Sequence, residues 1–347
     1  MSAGNPSATA VVIGGGIVGL MTALELHERG FSVSLLERGA FARESSWAGG
    51  GLLCPLPPWN QSAELWALAA AGMDRYPGLC TRLHRATGID PEWTPSGLTV
   101  LEPDDVDAAM AWCRAAGVTA NAVKVSRGLA RVTSAVHLSW VAQVRNPRLC
   151  RALVHYLMDI GVNLFDQVGE LQLQVQQGRV VAGASGAQWK ADAVIVCAGA
   201  WSASLLAPTG WTVPVAPVKG QMLLLRGEPG AVPGLLLQGG RYLIPRQDGR
   251  VLVGSTLEHL GFDKGPTDEA ASQLRDFADH LVPACRTMTL EAHWAGLRPG
   301  TADGVPLVRR HPEVSNLWLH AGHHRYGLTM APATASILAN RITAASG

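Results

Sequence analysis

The chain has 347 residues, of which 48% are hydrophobic and 16% are charged. This composition supports a large buried core and excludes a disordered chain. Lys and Arg number 28 against 27 Asp and Glu, and no run of basic residues occurs, so nucleic acid and anionic membranes are excluded as main partners. We therefore expect the partner to be a small molecule.

The cysteines and the first residues bear on the cellular compartment. The six cysteines are scattered without a C-x-x-C pair, which predicts buried single thiols and argues against a disulfide framework or a zinc ribbon. The opening MSAGNPSATA lacks the basic and apolar regions of a signal peptide. No apolar run reaches the roughly 18 residues of a membrane helix. We expect a cytoplasmic protein without an integral membrane segment, and the residues do not distinguish a monomer from a homo-oligomer.

The chain opens with the pattern of a strand, a helix and a second strand. Thr9–Ile13 is short and β-branched, as expected of a strand buried on both faces. Apolar residues then recur with helical spacing up to Gly30, which suits a C-terminal cap. Ser32–Leu36 predicts the second strand, with Glu37 at its end. The first forty residues therefore predict a βαβ unit.

Gly14, Gly16 and Gly19 form a G-x-G-x-x-G motif within this unit. The first glycine permits the tight turn, the second lets a pyrophosphate approach the backbone, and the third lets helix and strand pack closely. The helix N-terminus supplies N–H donors and the positive end of the dipole. Glu37 stands about twenty residues on, where a carboxylate can bind ribose hydroxyls. The combination predicts dinucleotide binding.

A segment rich in Gly, Ser and Pro follows at 39–58, where an NAD-binding domain would usually continue into another βα unit. It includes the run ESSWAGGGLLCPLPP. Small residues and hydroxyls suit backbone that lies against a long flat ligand, and dense glycine lets N–H groups reach a pyrophosphate, a ribityl chain or a flavin ring. Composition alone leaves a flexible loop as the alternative.

The remaining segments predict both helices and strands. Helices are predicted near 62–73, 79–87, 104–116, 146–161, 268–282 and 328–344. Strands are predicted at 97–102, 191–201 and 317–322, and without intervening helices at 220–227, 241–246 and 250–258. The latter three indicate antiparallel pairing. We expect an α/β fold with a discontinuous nucleotide-binding domain over 1–84, 145–210 and 292–347, and an antiparallel-sheet substrate domain over 85–144 and 211–291.

Several segments resemble, in the same order, the motifs of one known family. They read VVIGGGIVGLMTALEL, LLERG, ESSWAGGGLL, AQVRNPRLCRAL, ADAVIVCAGAWS, PVKGQMLLL, GRYLIPR, VLVGSTLE, WAGLRPGTADGVPLV and HAGHHRYGLTMAPATA. The chain resembles the D-amino-acid oxidase family of FAD-dependent oxidoreductases, and most of all its glycine oxidase branch. The resemblance covers nearly the whole chain and is weakest at about 103–140.

The resemblance implies a Rossmann-like FAD-binding domain of the glutathione-reductase-2 type, with FAD bound non-covalently. Covalent attachment, found in some sarcosine oxidase relatives, needs a cysteine near the ring, and Cys285 is predicted at the end of a helix. The start of the last helix is expected to face the pyrimidine edge of the flavin. The residues assigned to FAD are Gly14, Gly16, Ile17, Val18, Gly19, Glu37, Arg38, Ser45, Ser46, Ala48, Gly49, Gly50, Gly51, Leu52, Val168, Ala198, Gly199, Trp201, Gly322, His323, His324, Arg325, Tyr326, Gly327, Leu328 and Thr329.

Arg298, in GLRPGT, is the residue that the resemblance assigns to a substrate carboxylate. A guanidinium binds a carboxylate through two parallel hydrogen bonds, which also positions the α-carbon. Tyr242 is implied to donate to the same carboxylate, and Arg298 and Tyr242 are the predicted catalytic residues. Arg325 and Tyr326 are predicted substrate contacts, the tyrosine because many glycine oxidases carry a smaller polar residue there. A structural ion pair for Arg298 and simple packing for Tyr242 are the alternatives.

Three histidines, His320, His323 and His324, stand close together near the end of the chain. A metal site is not expected, because ligands at such spacing normally share one helical face and here a strand end and glycines intervene. Catalysis by a histidine acting as general base is a stronger alternative than a metal site, since histidine titrates near neutral pH. Oxidation of a neutral amine by a flavin needs little acid–base help, so we expect scaffolding around the flavin.

The function that the resemblance implies is oxidation of glycine, sarcosine or small D-amino acids. A hydride passes to flavin N5, the imine hydrolyses to a 2-oxo acid, and O2 is reduced to H2O2. A dehydrogenase of the same fold, which gives its electrons to a quinone or another acceptor, is the nearest alternative. An NAD-dependent dehydrogenase and a non-catalytic redox sensor are further ones. The family also suggests a role in synthesis of the thiamine thiazole.

Overall fold

A computed structural model describes residues 8–123, 129 and 132–346. The expectation that no signal peptide is present concerns mainly residues 1–7, which lie outside this description. Residues 124–128, 130 and 131 of the predicted substrate domain also lie outside it. No helix in the described part of the chain is both long and apolar enough to cross a membrane.

The α-helices are α1 (Ile17–Glu28), α2 (Ser45–Ala48), α3 (Ala63–Met73), α4 (Tyr76–Thr87), α5 (Val106–Ala115), α6 (Asn146–Asp159), α7 (Ser202–Leu206), α8 (Asp268–Leu281) and α9 (Gly327–Ser346). The first ten strands are β1 (Thr9–Ile13), β2 (Ser32–Leu36), β3 (Leu52–Leu53), β4 (Thr94–Pro95), β5 (Leu98–Leu101), β6 (Asn121–Val123), β7 (Ala135–Leu138), β8 (Ala142–Gln143), β9 (Asn163–Phe165) and β10 (Gln172–Gln176). The others are β11 (Arg179–Ala184), β12 (Ala187–Trp189), β13 (Ala193–Val196), β14 (Ala216–Arg226), β15 (Leu236–Gln238), β16 (Arg241–Pro245), β17 (Arg250–Gly254), β18 (Thr289–Gly300), β19 (Leu307–Arg310) and β20 (Leu317–Ala321).

A six-stranded sheet in the order β19-β20-β13-β1-β2-β9 forms the nucleotide-binding half. Its inner strands are parallel, and β19 is an antiparallel edge strand. The central strand β1 is apolar because both faces of this sheet are covered. Helices α1, α6 and α9 cover one face, and the three-stranded sheet β10-β11-β12 packs on the other. Its Val12 lies in register with Ile195 on one side and Leu35 on the other. The predicted βαβ unit and α/β fold class are therefore confirmed.

An eight-stranded sheet in the order β18-β14-β17-β16-β15-β5-β7-β6 forms the second half. The meander predicted from β14, β16 and β17 is antiparallel as expected. Strand β18, which the sequence analysis did not identify, pairs along β14 from Ala216 opposite Gly300 to Arg226 opposite Thr289. The predicted domain boundaries stay a prediction, and the one at residue 292 falls inside β18.

Helix α9 packs against α1 and α3, and close contact with α3 depends on a glycine. A β-carbon at Gly72 would lie 2.1 Å from the Thr329 carbonyl oxygen. Overlap at that distance forces two backbones apart. Gly72 therefore sets the distance between α3 and the beginning of α9.

The Gly72→Ala variant tests this contact. The added carbon must separate α3 from α9, and we expect the free energy of unfolding to fall by about 1–3 kcal/mol. Gly78→Ala on α4 is the matched control, because nothing lies within 4 Å of its added carbon and alanine suits a helix better than glycine. Urea unfolding measures both variants. Equal stability of the two would contradict the close contact.

Candidate functional site

A cavity of about 560 Å³ lies where the carboxyl ends of β1 and β13 meet the face of the eight-stranded sheet. Ligands of α/β proteins bind outside the carboxyl ends of parallel strands. Most of the residues predicted from the sequence line this cavity: Gly14, Gly16, Ile17, Val18, Glu37, Arg38, Ser45, Ser46, Ala48, Gly49, Gly50, Gly51, Leu52, Ala198, Gly199, Trp201, Tyr242, Arg298, His323, His324, Arg325, Tyr326, Gly327 and Leu328.

Some predicted residues do not line the cavity wall; they are Gly19, Val168, Gly322 and Thr329. Gly19 faces inward, where an added β-carbon would lie 1.8 Å from the Gly14 carbonyl oxygen, so its role is to let α1 pack on β1. Val168 uses its amide within the protein, donating to the Glu37 carbonyl oxygen at 3.2 Å. Contacts of these residues with FAD therefore stay predictions.

Glu37 is fixed at the end of β2 by two backbone amides. Its Oε2 accepts a hydrogen bond from the Gly15 N–H at 2.8 Å, and its Oε1 accepts one from the Gly39 N–H at 2.9 Å. The Ser46 hydroxyl oxygen accepts from the Ile17 N–H at 2.8 Å, which joins the glycine-rich segment to the first turn of α1. The carboxylate is thus oriented before any ligand binds.

Trp201 stands at the cavity wall where the two halves of the molecule meet. The Arg38 guanidinium lies 4.1 Å from the centre of its ring, and the Phe262 ring lies 5.6 Å away. Lys264, near Phe262, forms an ion pair with Glu44 at 3.0 Å. These contacts connect a loop of the antiparallel sheet to the nucleotide-binding half.

Arg298 on β18 presents a buried guanidinium to the cavity. Its Nη2 donates to the Ser255 hydroxyl at 2.7 Å, and its Nη1 donates to the carbonyl oxygens of Lys219 and Thr256 at 3.3 and 3.2 Å. A guanidinium has five N–H groups, so two remain available. Gly220 makes room for it, since an added β-carbon would lie 2.2 Å from Nη1.

No carboxylate oxygen of the described residues lies within 4.0 Å of the Arg298 guanidinium. The structural ion pair considered from the sequence is therefore absent within that part of the chain. Burial lowers the pKa of Arg298, and the nearby Arg325 charge also lowers it, yet an arginine stays cationic at neutral pH. A buried cation without an anionic partner favours binding of an anion from solution.

Tyr242 on β16 is buried beside Arg298. Its hydroxyl donates to the Met222 sulfur at 3.8 Å, and a thioether is a weak acceptor. Gly254 leaves space for the ring, because an added β-carbon there would lie 2.6 Å from it. The hydroxyl can therefore turn to a better acceptor in the cavity.

Tyr326 and Arg325 are held by groups of the protein. The Tyr326 ring packs against Leu65 on α3, and its hydroxyl oxygen accepts from the Leu56 N–H at 3.3 Å. Burial raises the pKa of Tyr326, so the phenol is neutral. Arg325 donates to the Gly240 carbonyl oxygen at 3.2 Å. The Tyr326 ring thus fills space between helices as well as lining the cavity.

The buried histidines connect strand β20 and the last helix to their neighbours. His320 Nδ1 lies 2.8 Å from the Thr22 hydroxyl on α1, and His323 Nε2 lies 3.0 Å from the Thr334 hydroxyl on α9. Burial lowers the pKa of His323 to about 3 and that of His320 well below its usual value. Burial likewise lowers the pKa of His324 to about 4. All three imidazoles are therefore neutral near pH 7, which fits scaffolding better than base catalysis.

The cysteines decide whether the protein offers a reactive thiol to a cofactor. All six cysteines are free and buried, as expected. Two of them, Cys54 and Cys197, line the cavity, whereas the sequence argument about covalent attachment considered Cys285 alone. Burial raises the pKa of Cys197 to about 12 and that of Cys54 well above its usual value, so both are unreactive thiols. Within the described chain, no three His, Cys, Asp or Glu residues are grouped to hold a metal.

Several residues of the cavity wall carry no motif of their own and were not predicted from the sequence. They include Glu44, Leu56, Asn146, Leu171, Met222 and Pro299. Asn146 begins the predicted helix at 146–161, but nothing in the sequence showed that its side chain is buried at a ligand cavity. Only the packing of α6 against the glycine-rich segment places it there.

Comparison with known proteins identifies the family. The model of the DAO family, described as FAD dependent oxidoreductase, matches residues 9–341. The chain is 44% identical to a glycine oxidase of Pseudomonas aeruginosa, over 96% of this chain and 94% of that relative. It is 42% identical to a glycine oxidase of Pseudomonas putida, over 98% and 95%. The crystal structure of glycine oxidase from Geobacillus kaustophilus superposes with a TM-score of 0.92 at 28% identity, covering 97% of this chain and 95% of that one.

The chain belongs to the DAO family of FAD dependent oxidoreductases. Its cofactor is FAD, as the resemblance in the sequence implied. An NAD-dependent dehydrogenase is thereby excluded.

The cavity wall offers the hydrogen-bonding groups that FAD requires. Three buried acceptor atoms on it lack a partner among the described residues, namely Asn146 Oδ1, His320 Nε2 and His323 Nδ1. The hydroxyls of FAD and the N–H of its ring are donors that suit such atoms. The Thr22 hydroxyl donates to the Val18 carbonyl oxygen, so His320 donates from Nδ1 and keeps Nε2 as an acceptor. These residues fit FAD.

The Glu37→Gln variant tests the adenosine end of the site. We expect FAD affinity to fall about tenfold or more, since one charge-assisted hydrogen bond contributes about 1.5–3 kcal/mol. Fluorescence titration of the apoprotein with FAD measures the dissociation constant. Glu64→Gln, at an exposed position of α3, is the control and should bind FAD normally. An unchanged affinity of the Glu37 variant would contradict the assignment.

Proposed function

We propose that this protein is an FAD-dependent oxidase of glycine, sarcosine or small D-amino acids. The observation that carries the proposal is the buried Arg298 guanidinium, which faces the cavity with two free N–H groups and no carboxylate within 4.0 Å in the described chain. An amino-acid carboxylate is the anion that matches this group in shape and charge. The glycine oxidases among its relatives support the same substrate class.

Arg298 and Tyr242 would position the substrate together. The guanidinium binds the carboxylate in two parallel hydrogen bonds, and the Tyr242 hydroxyl leaves the Met222 sulfur to donate a third. Fixing the carboxylate also fixes the α-carbon one bond away, which brings its C–H bond to a constant place in the cavity. In this proposal both residues act by orientation, and neither transfers a proton.

The proposed reaction needs no acid or base residue of the protein. FAD, when bound, would supply a hydride acceptor. The substrate held by Arg298 and Tyr242 would lose its α-hydrogen as hydride and a proton from nitrogen to water, and so become the imine. Water would convert the imine to the 2-oxo acid and release ammonia, or methylamine where the substrate is sarcosine. In the oxidase, O2 then receives two electrons and two protons and becomes H2O2. The neutral histidines at the cavity are consistent with chemistry that needs no histidine base.

The small size of the substrate is proposed from the side chains around Arg298. Tyr242, Met222 and Tyr326 are bulky, and all three are buried at the cavity wall. Tyr326 is fixed by its contact with Leu56 and cannot move aside without breaking that hydrogen bond. Anaerobic bleaching of the flavin by glycine, sarcosine, D-alanine, D-proline and a bulky D-amino acid would rank the candidates.

The Arg298→Ala variant tests the carboxylate site. We expect kcat/KM for the best amino acid to fall at least about 100-fold, because the lost pair of charge-assisted hydrogen bonds contributes several kcal/mol. FAD binding should persist, so the protein stays yellow. Stopped-flow reduction of the flavin measures the loss, and Arg298→Lys should recover part of it.

Arg250→Ala is the matched control for this experiment. Arg250 lies on β17 of the same sheet, but its partners are Glu291 at 2.6 Å and Asp248 at 2.8 Å near the surface. Its removal should leave turnover close to that of the natural protein. If Arg298→Ala keeps normal kcat/KM, the carboxylate role is wrong.

Rapid mixing with oxygen distinguishes an oxidase from a dehydrogenase of the same fold. The protein is first reduced anaerobically with its amino acid and then mixed with air-saturated buffer. An oxidase is expected to regain absorbance near 450 nm within seconds and to release one H2O2 per turnover. Recovery over many minutes, with fast recovery on adding a quinone, would assign the electrons to another acceptor.

The proposal also includes a cellular location and a pathway. Six free thiols suit a reducing compartment, so we place the protein in the cytoplasm. A role in synthesis of the thiamine thiazole would use the imine of glycine.

A further inference from the structure

Arg246 is a buried arginine immediately behind the glycine-rich segment of the cavity. Its side chain is buried, and all its hydrogen bonds go to neutral acceptors. Nη1 donates to Gln143 Oε1 at 2.6 Å and to the Val144 carbonyl oxygen at 3.0 Å, and Nη2 donates to the Gly50 carbonyl oxygen at 2.8 Å. No carboxylate in the described part of the chain lies within 4.0 Å of it.

The guanidinium remains charged in this environment. Burial lowers the pKa of Arg246 to about 10, and the nearby Arg145 charge lowers it further, whereas the more distant Glu92 and Asp248 carboxylates raise it. At pH 7 to 8 the group is therefore a buried cation whose nearest partners are dipoles. Such a charge is costly to bury unless another charge compensates it. The polypeptide around Arg246 supplies no direct anionic contact.

The peptide bond between Gly50 and Gly51 lies between the Arg246 guanidinium and the cavity. Gly50 and Gly51 line the cavity, whereas Arg246 does not. A trans peptide is planar, and its C=O and N–H point in opposite directions. Because the Gly50 carbonyl points to Arg246, the Gly51 N–H points away from Arg246 and towards the cavity side. Neither residue's N–H has an acceptor within the described chain.

The backbone conformation at Gly51 is restricted by its surroundings. Gly51 has a φ of +80°, and an added β-carbon would lie 2.0 Å from the Val144 carbonyl oxygen. The glycine-rich segment therefore packs closely against Val144, whose carbonyl oxygen also accepts a hydrogen bond from Arg246. The guanidinium pulls electron density towards the Gly50 oxygen, which strengthens the Gly51 N–H as a donor.

We propose that Arg246 is a positioning residue for the flavin: it orients the Gly51 N–H towards the ring and compensates the negative charge that the ring gains on reduction. Oxidised flavin that accepts a hydride receives two electrons and one proton, and therefore gains one negative charge. A fixed cation across a single peptide stabilises this charge without contacting the ring. The inference rests on FAD occupying the cavity and does not depend on which amino acid is oxidised.

The midpoint potential of the bound flavin tests the proposal. Arg246→Gln removes the charge and keeps a donor for Gly50, so the two-electron potential is expected to fall. A tenfold weaker preference for the reduced flavin corresponds to about 30 mV. Arg246→Lys keeps the charge and should stay within about twofold of the natural protein, or about 9 mV. Sulfite, whose flavin adduct is anionic, should bind Arg246→Gln at least tenfold more weakly.

Gln143→Glu gives a second route if Arg246→Gln does not fold. It places a carboxylate on Nη1, where Gln143 Oε1 lies at 2.6 Å, and neutralises the cation without removing it. The potential should again fall. Arg241→Gln is the control, since Arg241 begins β16, the strand that ends one residue before Arg246, but donates to Gln273 on α8, away from the cavity. Its flavin potential should not change.

A purely structural Arg246 would give a different pattern. FAD affinity and thermal stability would fall in Arg246→Gln and Arg246→Lys alike, while the potential and sulfite affinity of the flavin that remained bound would match the natural protein. That pattern overturns the proposal. These measurements need only bound FAD, so a failure of amino-acid turnover would contradict the proposed function and leave this inference standing.

Discussion

The pairing of β18 with β14 is the constraint on which the site depends. It brings Arg298 opposite Val218 and places Gly220 beside the guanidinium, where an added β-carbon would lie 2.2 Å from Nη1. The same strand reaches the cofactor side, because Trp294 donates from its indole N–H to the Ala48 carbonyl oxygen at 3.0 Å. One strand therefore carries Arg298 and also contacts the glycine-rich segment. The distance between the two is fixed by backbone hydrogen bonds, which tolerate little movement.

Two buried arginines beside this cavity have no carboxylate within 4.0 Å in the described chain. The guanidinium groups of Arg298 and Arg246 both use carbonyl oxygens as partners, and burial lowers the pKa of each. In contrast, arginines nearer the surface, such as Arg250, have carboxylates beside them. In the proposed function a substrate carboxylate would bind on one side and reduced FAD would lie on the other, and buried cations suit both negative charges. Arginines of this half of the molecule therefore have two kinds of surroundings. The two beside the cavity are buried among carbonyl oxygens, and Arg250, nearer the surface, forms ion pairs with carboxylates.

Particular elements show how far the sequence could be interpreted. Strands β1 and β2 and helix α1 were predicted with their observed limits or nearly so, because their apolar spacing and glycines are local signals. Strand β18 was missed, since its WAGLRPG stretch is poor in β-branched residues and contains Gly and Pro. Short strands such as β9, with three residues, give no periodicity to detect. Tertiary pairing forms them.

The sequence by itself determined the βαβ unit, the dinucleotide motif and the family, because these depend on residues close together or on the order of motifs. It also directed attention to Arg298. Only the tertiary structure decided that Arg298 has no ion-pair partner within the described chain, that the histidines bind Thr22 and Thr334, and that Arg246 lies behind Gly50. These facts depend on burial and on contacts between residues far apart in the chain. The free energy of a charge depends on its surroundings, which a sequence does not specify.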